Sequence, residues 1–330
     1  MRRRTLLGFA GASPFAPLFA AAPARAQQAA ADWPTQPLRI VVPYAPGGPT
    51  DIPARLLAEE LAKTFPQRPV VENRTGAGVV VGADVVAKAR DNHTVLYTTI
   101  SHAVLRPMFP RLPFDPVADF APVALVGVIP MVLMANKDLP VNNLQDLIKL
   151  YRDNPGKYDY GSAGNGSALQ LAAELFLRQA GGLKVTHVAY RGSAAAMPDL
   201  LNGTVSMMLD VANNTLPYVG RGEVKGLAVS SERRLPQLPD VPTFKEQGLP
   251  DYEAYTWHMV LAPKGTPDAV VQRLNAAINK VTSDQAVQKR LEDLTMQVRT
   301  DSTPESAARW LQAEMAKWEP VVREAGIKAD

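Results

Sequence analysis

From residue 38 onward, short apolar runs alternate with amphipathic segments. Leu38-Arg39-Ile40-Val41-Val42-Pro43 reads as a strand and Ala45-Pro46-Gly47-Gly48-Pro49-Thr50-Asp51 as a turn. The next segment reads as a helix with Leu56, Leu57, Leu61 and Phe65 on one face. The triplet returns with a strand at Pro69-Val70-Val71-Glu72, a turn at Gly76-Ala77-Gly78, a helix from Val79 to Ala89 and a strand over Thr94 to Thr99. Ala121 to Ala135 has the look of a long buried strand interrupted by Gly127 and Pro130, and Leu144 to Tyr151 that of a helix. A second series starts at Tyr158-Asp159-Tyr160, passes through the loop Gly161 to Ser167 and continues as a helix from Ala168 to Ala180. Its remaining elements are a strand from Val185 to Val188, a helix from Ala194 to Leu201, and strands from Val205 to Leu209 and Val224 to Ser230. Arg234 to Pro250 is proline-rich and irregular. Tyr252 to Ala262 resumes as a strand, and Pro267 to Ala325 is mostly helical with a short strand near Met296 to Arg299.

Strands alternating with helices imply α/β architecture with mainly parallel sheets covered on both faces. Two such series, bracketed by the long segments Ala121 to Ala135 and Tyr252 to Ala262, predict two lobes joined by two crossover strands. We assign residues 27–128 and 252–330 to domain 1 and 129–251 to domain 2. In such an arrangement the ligand site lies in the cleft where strand ends and helix N-termini of both lobes meet, and closure is a hinge motion.

The amino terminus carries an address. Met1 to Arg4 is basic, Leu6 to Ala22 is apolar and small but broken by Pro14 and Pro17, and Ala24-Arg25-Ala26 has the small-x-small form of a signal-peptidase site. Residues 1–26 are therefore expected to be a signal peptide cleaved after Ala26. Arg3-Arg4-Thr5-Leu6-Leu7 satisfies a loose twin-arginine pattern, so the Sec and Tat routes both stay open. The apolar stretch is too short and too proline-rich to span a bilayer, which predicts an exported soluble protein without membrane insertion of the mature chain. The formal charge of +3 includes four arginines of this segment, so the mature chain carries −1 and lacks the cationic excess that nucleic acid requires. With no cysteine, disulfides, thiolate metal sites and Cys–His nucleophiles are excluded.

Catalytic and cofactor motifs are missing as well. Ser162 lies in Tyr160-Gly161-Ser162-Ala163-Gly164, which fails the first glycine of a nucleophile elbow. Neither Gly76-x-Gly78 nor Gly164-x-Gly166 continues to a third glycine at the dinucleotide spacing, and the four histidines are scattered without ligand spacing. What remains is a set of glycine- and hydroxyl-rich turns feeding helices. The turn Pro46 to Asp51 and the loop Gly161 to Ser167 expose backbone N–H groups at helix starts, where the free donors and the positive end of the dipole favour a carboxylate. Taken alone, the first turn reads as an ordinary cap by Thr50 or Asp51 with Pro53 in the first helical turn and glycines that only make the bend; the second loop in the other lobe is what strengthens the carboxylate reading.

The ordered blocks Leu38 to Asp51, Val71-Glu72-Asn73-Arg74-Thr75-Gly76-Ala77-Gly78, Leu112-Pro113-Phe114-Asp115-Pro116, Tyr160 to Ser167, Tyr190-Arg191-Gly192-Ser193, Leu235 to Thr243 and Leu261 to Pro267 run through the whole mature chain. In this order they resemble the Bug family of periplasmic substrate-binding proteins, which serve tripartite tricarboxylate transporters. The resemblance implies a two-lobed type II periplasmic binding fold, no cofactor, no metal, and a small carboxylate ligand: a di- or tricarboxylate, an acidic amino acid or an aromatic acid. It also implies delivery to integral-membrane transporter subunits. By position, Tyr44, Gly48, Thr50 and Asp51 are expected to hold one carboxylate, with Thr99 and Ser101 lining the same lobe. Ser162, Ala163, Asn165 and Ser167 close from the other lobe, and Asp210 occupies the second-lobe aspartate position, where a strand-end helix cap is the competing role.

Three stretches depart from the family pattern. Pro49 stands for the usual third glycine of the first turn and removes a donor N–H, Thr75 replaces a common proline, and Val79-Val80-Val81 replaces glycine and polar residues. An apolar wall there, with Tyr44, Trp257 and His258 near cleft or hinge segments, favours an aromatic or longer-chain acid over citrate; valines facing the core would remove that argument. Two other classes stay in view: an exported cleft hydrolase using Ser162 or Asp210, and a sensor that presents the liganded lobes to a receptor.

Overall fold

The computed structural model describes residues 33–329. The expected signal peptide and its cleavage position lie outside the described residues. No helix among the described residues is long and apolar enough to cross a membrane.

The first series forms β1 (Arg39–Val42), α1 (Asp51–Leu61), β2 (Val70–Asn73), α2 (Val80–Ala87), β3 (Thr94–Thr98) and the short α3 (Leu105–Met108). A 17-residue strand, β4 (Phe120–Asn136), follows and is buried along almost its whole length. The second series is α4 (Leu144–Asp153), β5 (Asp159–Ser162), α5 (Ala168–Gln179), β6 (Thr186–Ala189), α6 (Ser193–Asn202), β7 (Met207–Val211), α7 (Ala212–Gly220) and β8 (Val224–Val229). The chain ends with β9 (Tyr255–Pro263), α8 (Asp268–Thr282), α9 (Gln285–Glu292), β10 (Gln297–Val298) and α10 (Pro304–Glu324).

Two sheets share β4. In the first lobe β1 pairs in parallel with β2 and β3, β9 joins antiparallel to β3, and Phe120 to Pro130 of β4 pairs with β9. From Met131 to Asn136 the same strand pairs with β7 and β8 of the second lobe, where β5 lies parallel to β6 and β7. Sheet membership therefore changes between Pro130 and Met131, as Pro130, with no N–H, pairs with Tyr255 at the end of the β9 ladder. Tyr252 to Ala254, expected as part of the returning strand, lies before β9, and β9 pairs only within the first sheet. The two crossings are tied together by Ser230, whose hydroxyl accepts from Met131 N–H and donates to the Ala254 carbonyl.

The sheets are covered on both faces, which explains the continuous apolar runs. In the first lobe Ile40, Val42, Val95 and Tyr97 face one core with α1 and α8, while Val41 and Leu96 face another with α2. That second core continues through Met131, Leu133, Tyr160 and Phe176 into the other lobe, and α10 lies against both β4 and α5. Trp257 of β9 and Trp318 of α10, both wholly buried, donate their indole N–H groups to the same Glu314 carboxylate oxygen at 2.9 and 2.7 Å. Trp257 belongs to this core, while His258, next along β9 and facing the other way, packs against Tyr97 of the first core; neither lines the cleft cavities described below, and burial pushes the His258 imidazole down to about 3, keeping it neutral.

Glu314 joins the C-terminal helix to β9, so its removal strands two buried donors. Glu314→Ala is expected to destabilise the protein by about 2–4 kcal/mol, since each buried unsatisfied group costs roughly 1–3. Glu314→Gln, which retains an acceptor, should cost less. Equal losses for the two variants in urea unfolding would contradict this role.

Candidate ligand-binding cleft

Because the strands preceding α1, α5, α6 and α7 run parallel within each lobe, their C-terminal ends and the following helix N-termini gather on one side. A cavity of about 380 Å³ lies there between the lobes. Tyr44, Gly48, Pro49, Thr50, Thr99 and Ser101 line it from the first lobe, and Ala163, Ser167, Ser193 and Asp210 from the second.

Each wall has a local cause. Gly47 takes a φ of 76°, turning the chain after β1 so that Gly48 and Thr50 face the cavity. The Gly48 carbonyl accepts the Asp51 and Ile52 N–H groups, leaving the amides of Gly48 and Thr50 as donors of this turn. Asp51 does not line the cavity. It is 1% exposed, and its carboxylate accepts from Gly47 N–H, Arg55 Nε and Asn73 Nδ2 at 2.7–2.8 Å, which makes it the brace of the turn. Burial alone would raise this carboxyl, but the bonds from Arg55, Gly47 and Asn73 outweigh it and hold it below the usual value. Tyr44 Oη meets Thr99 Oγ1 at 2.5 Å, fixing the aromatic ring against the end of β3.

In the second lobe, Ser167 caps α5 by accepting Gln170 N–H, so the amides of Ala168 and Leu169 remain without intrahelical acceptors at the cavity wall. Gly192, with a φ of 101°, opens α6 in the same way and brings the start of that helix to the cavity with Ser193. Asn214 of α7 and Thr256 of β9 complete the lining. Ala168, Leu169, Gly192, Ser193, Asn214 and Thr256 are absent from the ligand residues expected from the sequence, although Gly192-Ser193 between a strand and a helix is the same signal as the two glycine-bearing loops that gave those residues. Arg191, beside them, is exposed and does not line the cavity. Asn165 lines a neighbouring cavity rather than this one.

Ser162 is wholly buried and belongs to a different network. Its Oγ lies 2.6 Å from His187 Nε2, a spacing that suits a nucleophile and its base, so the direction of the hydrogen bond decides the chemistry. Gly166 N–H donates to Gln170 Oε1 at 2.7 Å, which turns the Gln170 NH2 group toward His187 Nδ1 at 3.0 Å. Nδ1 is then the acceptor, Nε2 carries the proton, and His187 donates to Ser162 instead of taking its proton. Ser162 and His187 thus hold the loop Gly161 to Ser167 in shape.

No lysine, arginine or histidine lines the cavity, whose largely apolar wall is punctuated by the hydroxyls of Tyr44, Thr50, Thr99, Ser101, Ser167, Ser193 and Thr256. Its ionisable acid, Asp210, is 1% exposed; Oδ1 accepts Val211 N–H at 2.7 Å, while Oδ2 has no partner within the chain. Thr256 Oγ1 is also buried and unpartnered. Burial pushes the Asp210 carboxyl up to about 6, against the smaller opposing effect of its bonds to Val211, Ser193 and Asn214. Asp210 accepts the N–H of Val211, the last residue of β7, and lines the cavity; the start of α7 at Ala212 carries no side-chain cap, so the competing cap role is not what the structure shows. No cluster of three or more metal-ligating side chains occurs among the described residues.

A family model described as the tripartite tricarboxylate transporter family receptor matches residues 53–327. The chain belongs to this family. BugT of Bordetella pertussis is 36% identical over 301 residues, covering 90% of this chain and 91% of its own. Two solved structures are similar at comparable identity. The adipate-bound Rpa4515 of R. palustris has a TM-score of 0.79 at 34% identity, covering 89% of this chain and 99% of its own. The malate-bound MatC of Rhodopseudomonas palustris has a TM-score of 0.76 at 35%, covering 88% and 100%. These likenesses place the two-lobed fold among the periplasmic binding proteins, as the sequence blocks predicted.

A carboxyl held near 6 when folded and near 3.8 when unfolded favours the folded state below pH 4, and that stabilisation is lost as pH rises through 6. Asp210→Asn, which keeps the shape and the acceptor for Val211 N–H, is therefore expected to stabilise the ligand-free protein at pH 8 by on the order of 1–3 kcal/mol. The gain should shrink toward zero near pH 4. Denaturation curves at the two pH values check it; a pH-independent difference would contradict the buried, high-pKa carboxyl.

Proposed function

We propose that this protein is a periplasmic receptor that captures a small carboxylate between its lobes and delivers it to the membrane subunits of a tripartite tricarboxylate transporter. One observation carries the reading: three helix N-termini from two lobes face one cavity that contains no basic side chain. A carboxylate entering it exchanges water for fixed N–H donors at Thr50, Ala168, Leu169 and Ser193, together with the hydroxyls of Thr99, Ser101 and Thr256. That is reversible binding, with charge neutralised by dipoles and not by an ion pair. The adipate and malate of the two structural neighbours support the ligand class.

Asp210 shapes the same choice. Protonated, it donates a hydrogen bond to the ligand; ionised, it accepts one from a ligand hydroxyl or ammonium, and in neither state does it supply a nucleophile's geometry. The direction of the His187–Ser162 bond supports binding without turnover. Because donors come from both lobes, the ligand favours the closed arrangement by its differential affinity for it.

The backbone donors can be tested one at a time. Ala168 is the first residue of α5, and Ser167 before it already has φ −66° and ψ 153°, the conformation that proline demands of its predecessor. Ala168→Pro therefore deletes a single N–H without disturbing the helix. In calorimetric titration against mono-, di- and tricarboxylates, the wild-type protein should bind an acid stoichiometrically and leave it unchanged. Ala168→Pro should weaken that acid by about ten-fold or more, since a hydrogen bond to a charged group is worth roughly 1.5–3 kcal/mol. Unaltered affinity in this variant, or appearance of a product, would contradict the reading.

A further inference from the structure

We propose that His187 and Gln170 form a proton-operated latch on the loop Gly161 to Ser167: when His187 takes up a proton, the Gln170 amide turns over, the Gly166 N–H loses its acceptor and the cleft wall loosens. His187 is thereby a positioning residue for the binding site. The latch itself is a property of the ligand-free protein; the receptor function proposed above enters only in its consequence for capture.

The loop is anchored twice. Near its start, Ser162 Oγ accepts from His187 Nε2 at 2.6 Å and lies 3.2 Å from both the N–H and the carbonyl of Gly164. Near its end, the buried Gly166 N–H donates to Gln170 Oε1 at 2.7 Å. One amide group therefore serves two neighbours, with Oε1 toward Gly166 and the NH2 group toward His187 Nδ1 at 3.0 Å. This requires a lone pair on Nδ1. A protonated imidazole has donors on both nitrogens, so its Nδ1–H would face the Gln170 NH2 group. Turning the amide over gives Nδ1–H an acceptor but sets the NH2 group against Gly166 N–H. The Gln170 oxygen meets one donor or the other, and never both. Nε2 keeps its bond to Ser162 in either state, so the first anchor holds and the second opens.

A buried amide without an acceptor is costly, and the loop relieves that cost by moving. The movement reaches the cleft, because Ala163 and Ser167 of this loop line the cavity and Ser167 caps α5. It also reaches the other lobe: Met108 lies on the bare Cα of Gly166, where a Cβ would come 2.1 Å from Met108 Cε.

Few ionisable groups face the ring. From β5, Tyr160 stacks on it with centroids 4.9 Å apart, and Tyr160 Oη donates at 2.5 Å to Glu174 of α5, whose carboxyl is raised by burial. Asp159, one residue earlier on β5, points to the opposite face of the sheet. β6 is the edge strand of its sheet among the described residues, so no strand stands beyond it. Burial holds the His187 imidazole below its ordinary value. The latch is thus closed at neutral pH and opens in acid.

An NMR titration of the purified ligand-free protein from about pH 8 to about pH 5 spans this change. The Gly166 amide proton should shift with the same midpoint as the His187 ring. Its protection against exchange, corrected for the intrinsic rate, should fall about five-fold or more through that midpoint, as a lost hydrogen bond implies. His187→Gln, neutral at every pH, should leave the Gly166 amide unmoved across the range, and Gln170→Met should leave it unprotected at both ends. In calorimetric titration against the mono-, di- and tricarboxylates, an acid that binds should bind more weakly on the acid limb, with a smaller loss in His187→Gln. A Gly166 amide that ignores the His187 titration would overturn the latch. So would one that still shifts in His187→Gln, since Glu174 or the cavity's Asp210 would then be its cause. Absence of binding by every acid would contradict the receptor reading, and the NMR result would still decide the latch.

Discussion

Burying a strand on both faces across two sheets forces every other element to be arranged around it, and β4 is that strand. Its backbone groups are paired with β9 up to Pro130 and with β7 and β8 from Met131 onward. This exchange of partners creates two lobes without interrupting the core. It also fixes where the cleft lies, since the parallel strands on either side of the switch present their C-terminal ends to the same gap. The hinge is narrow in hydrogen-bond terms: the Ser230 hydroxyl bridges Met131 and Ala254, where the chain crosses out and returns. Glu314 and the two tryptophans then fasten the C-terminal helix to β9.

The electrostatic design follows from that geometry. An anion in a low-dielectric cavity needs compensation, and a lysine or arginine would provide it at the cost of slow release. On the carboxylate reading proposed above, helix starts take that part, with Gly47 and Gly192 supplying the positive-φ turns that bring amides to the cavity wall. The polar side chains behind the wall work as braces: Asp51 with Arg55 and Asn73 in one lobe, and the neutral His187, Ser162 and Gln170 network in the other. Asp210 is the exception, a carboxyl facing the cavity with one oxygen unpartnered, and burial keeps its proton affinity high.

Most of the fold was legible because buried parallel strands leave continuous apolar runs and each is followed by a glycine-bearing turn. α7 was not, because Pro217 and Gly220 interrupt its apolar pattern and its hydrogen bonds are invisible in a nine-residue stretch. β5 runs through Gly161 and Ser162, two residues expected in a loop, because parallel pairing with β6 overrides the weak strand preference of glycine and serine. At the site, Tyr44, Gly48, Thr50, Thr99, Ser101, Ala163, Ser167 and Asp210 meet at one cavity, while Asp51 and Ser162 prop the loops behind it. Motif position alone cannot separate a lining residue from a brace; that distinction depends on which way a side chain turns. Thr256 lay beyond reach for a related reason, since it comes from β9, far along the chain from any glycine turn. Val79 lines the neighbouring cavity, Val81 is exposed, and Val79 takes a φ of 77° that a glycine would adopt without strain.

The central claim is that backbone amides at helix starts hold the ligand's carboxylate. A crystal structure of the complex with the tightest-binding acid tests it most directly. The account expects carboxylate oxygens within about 3 Å of the N–H groups of Thr50, Ala168 or Leu169, and Ser193, with both lobes contributing. A carboxylate lying outside the cavity, paired with a surface lysine or arginine, would contradict it.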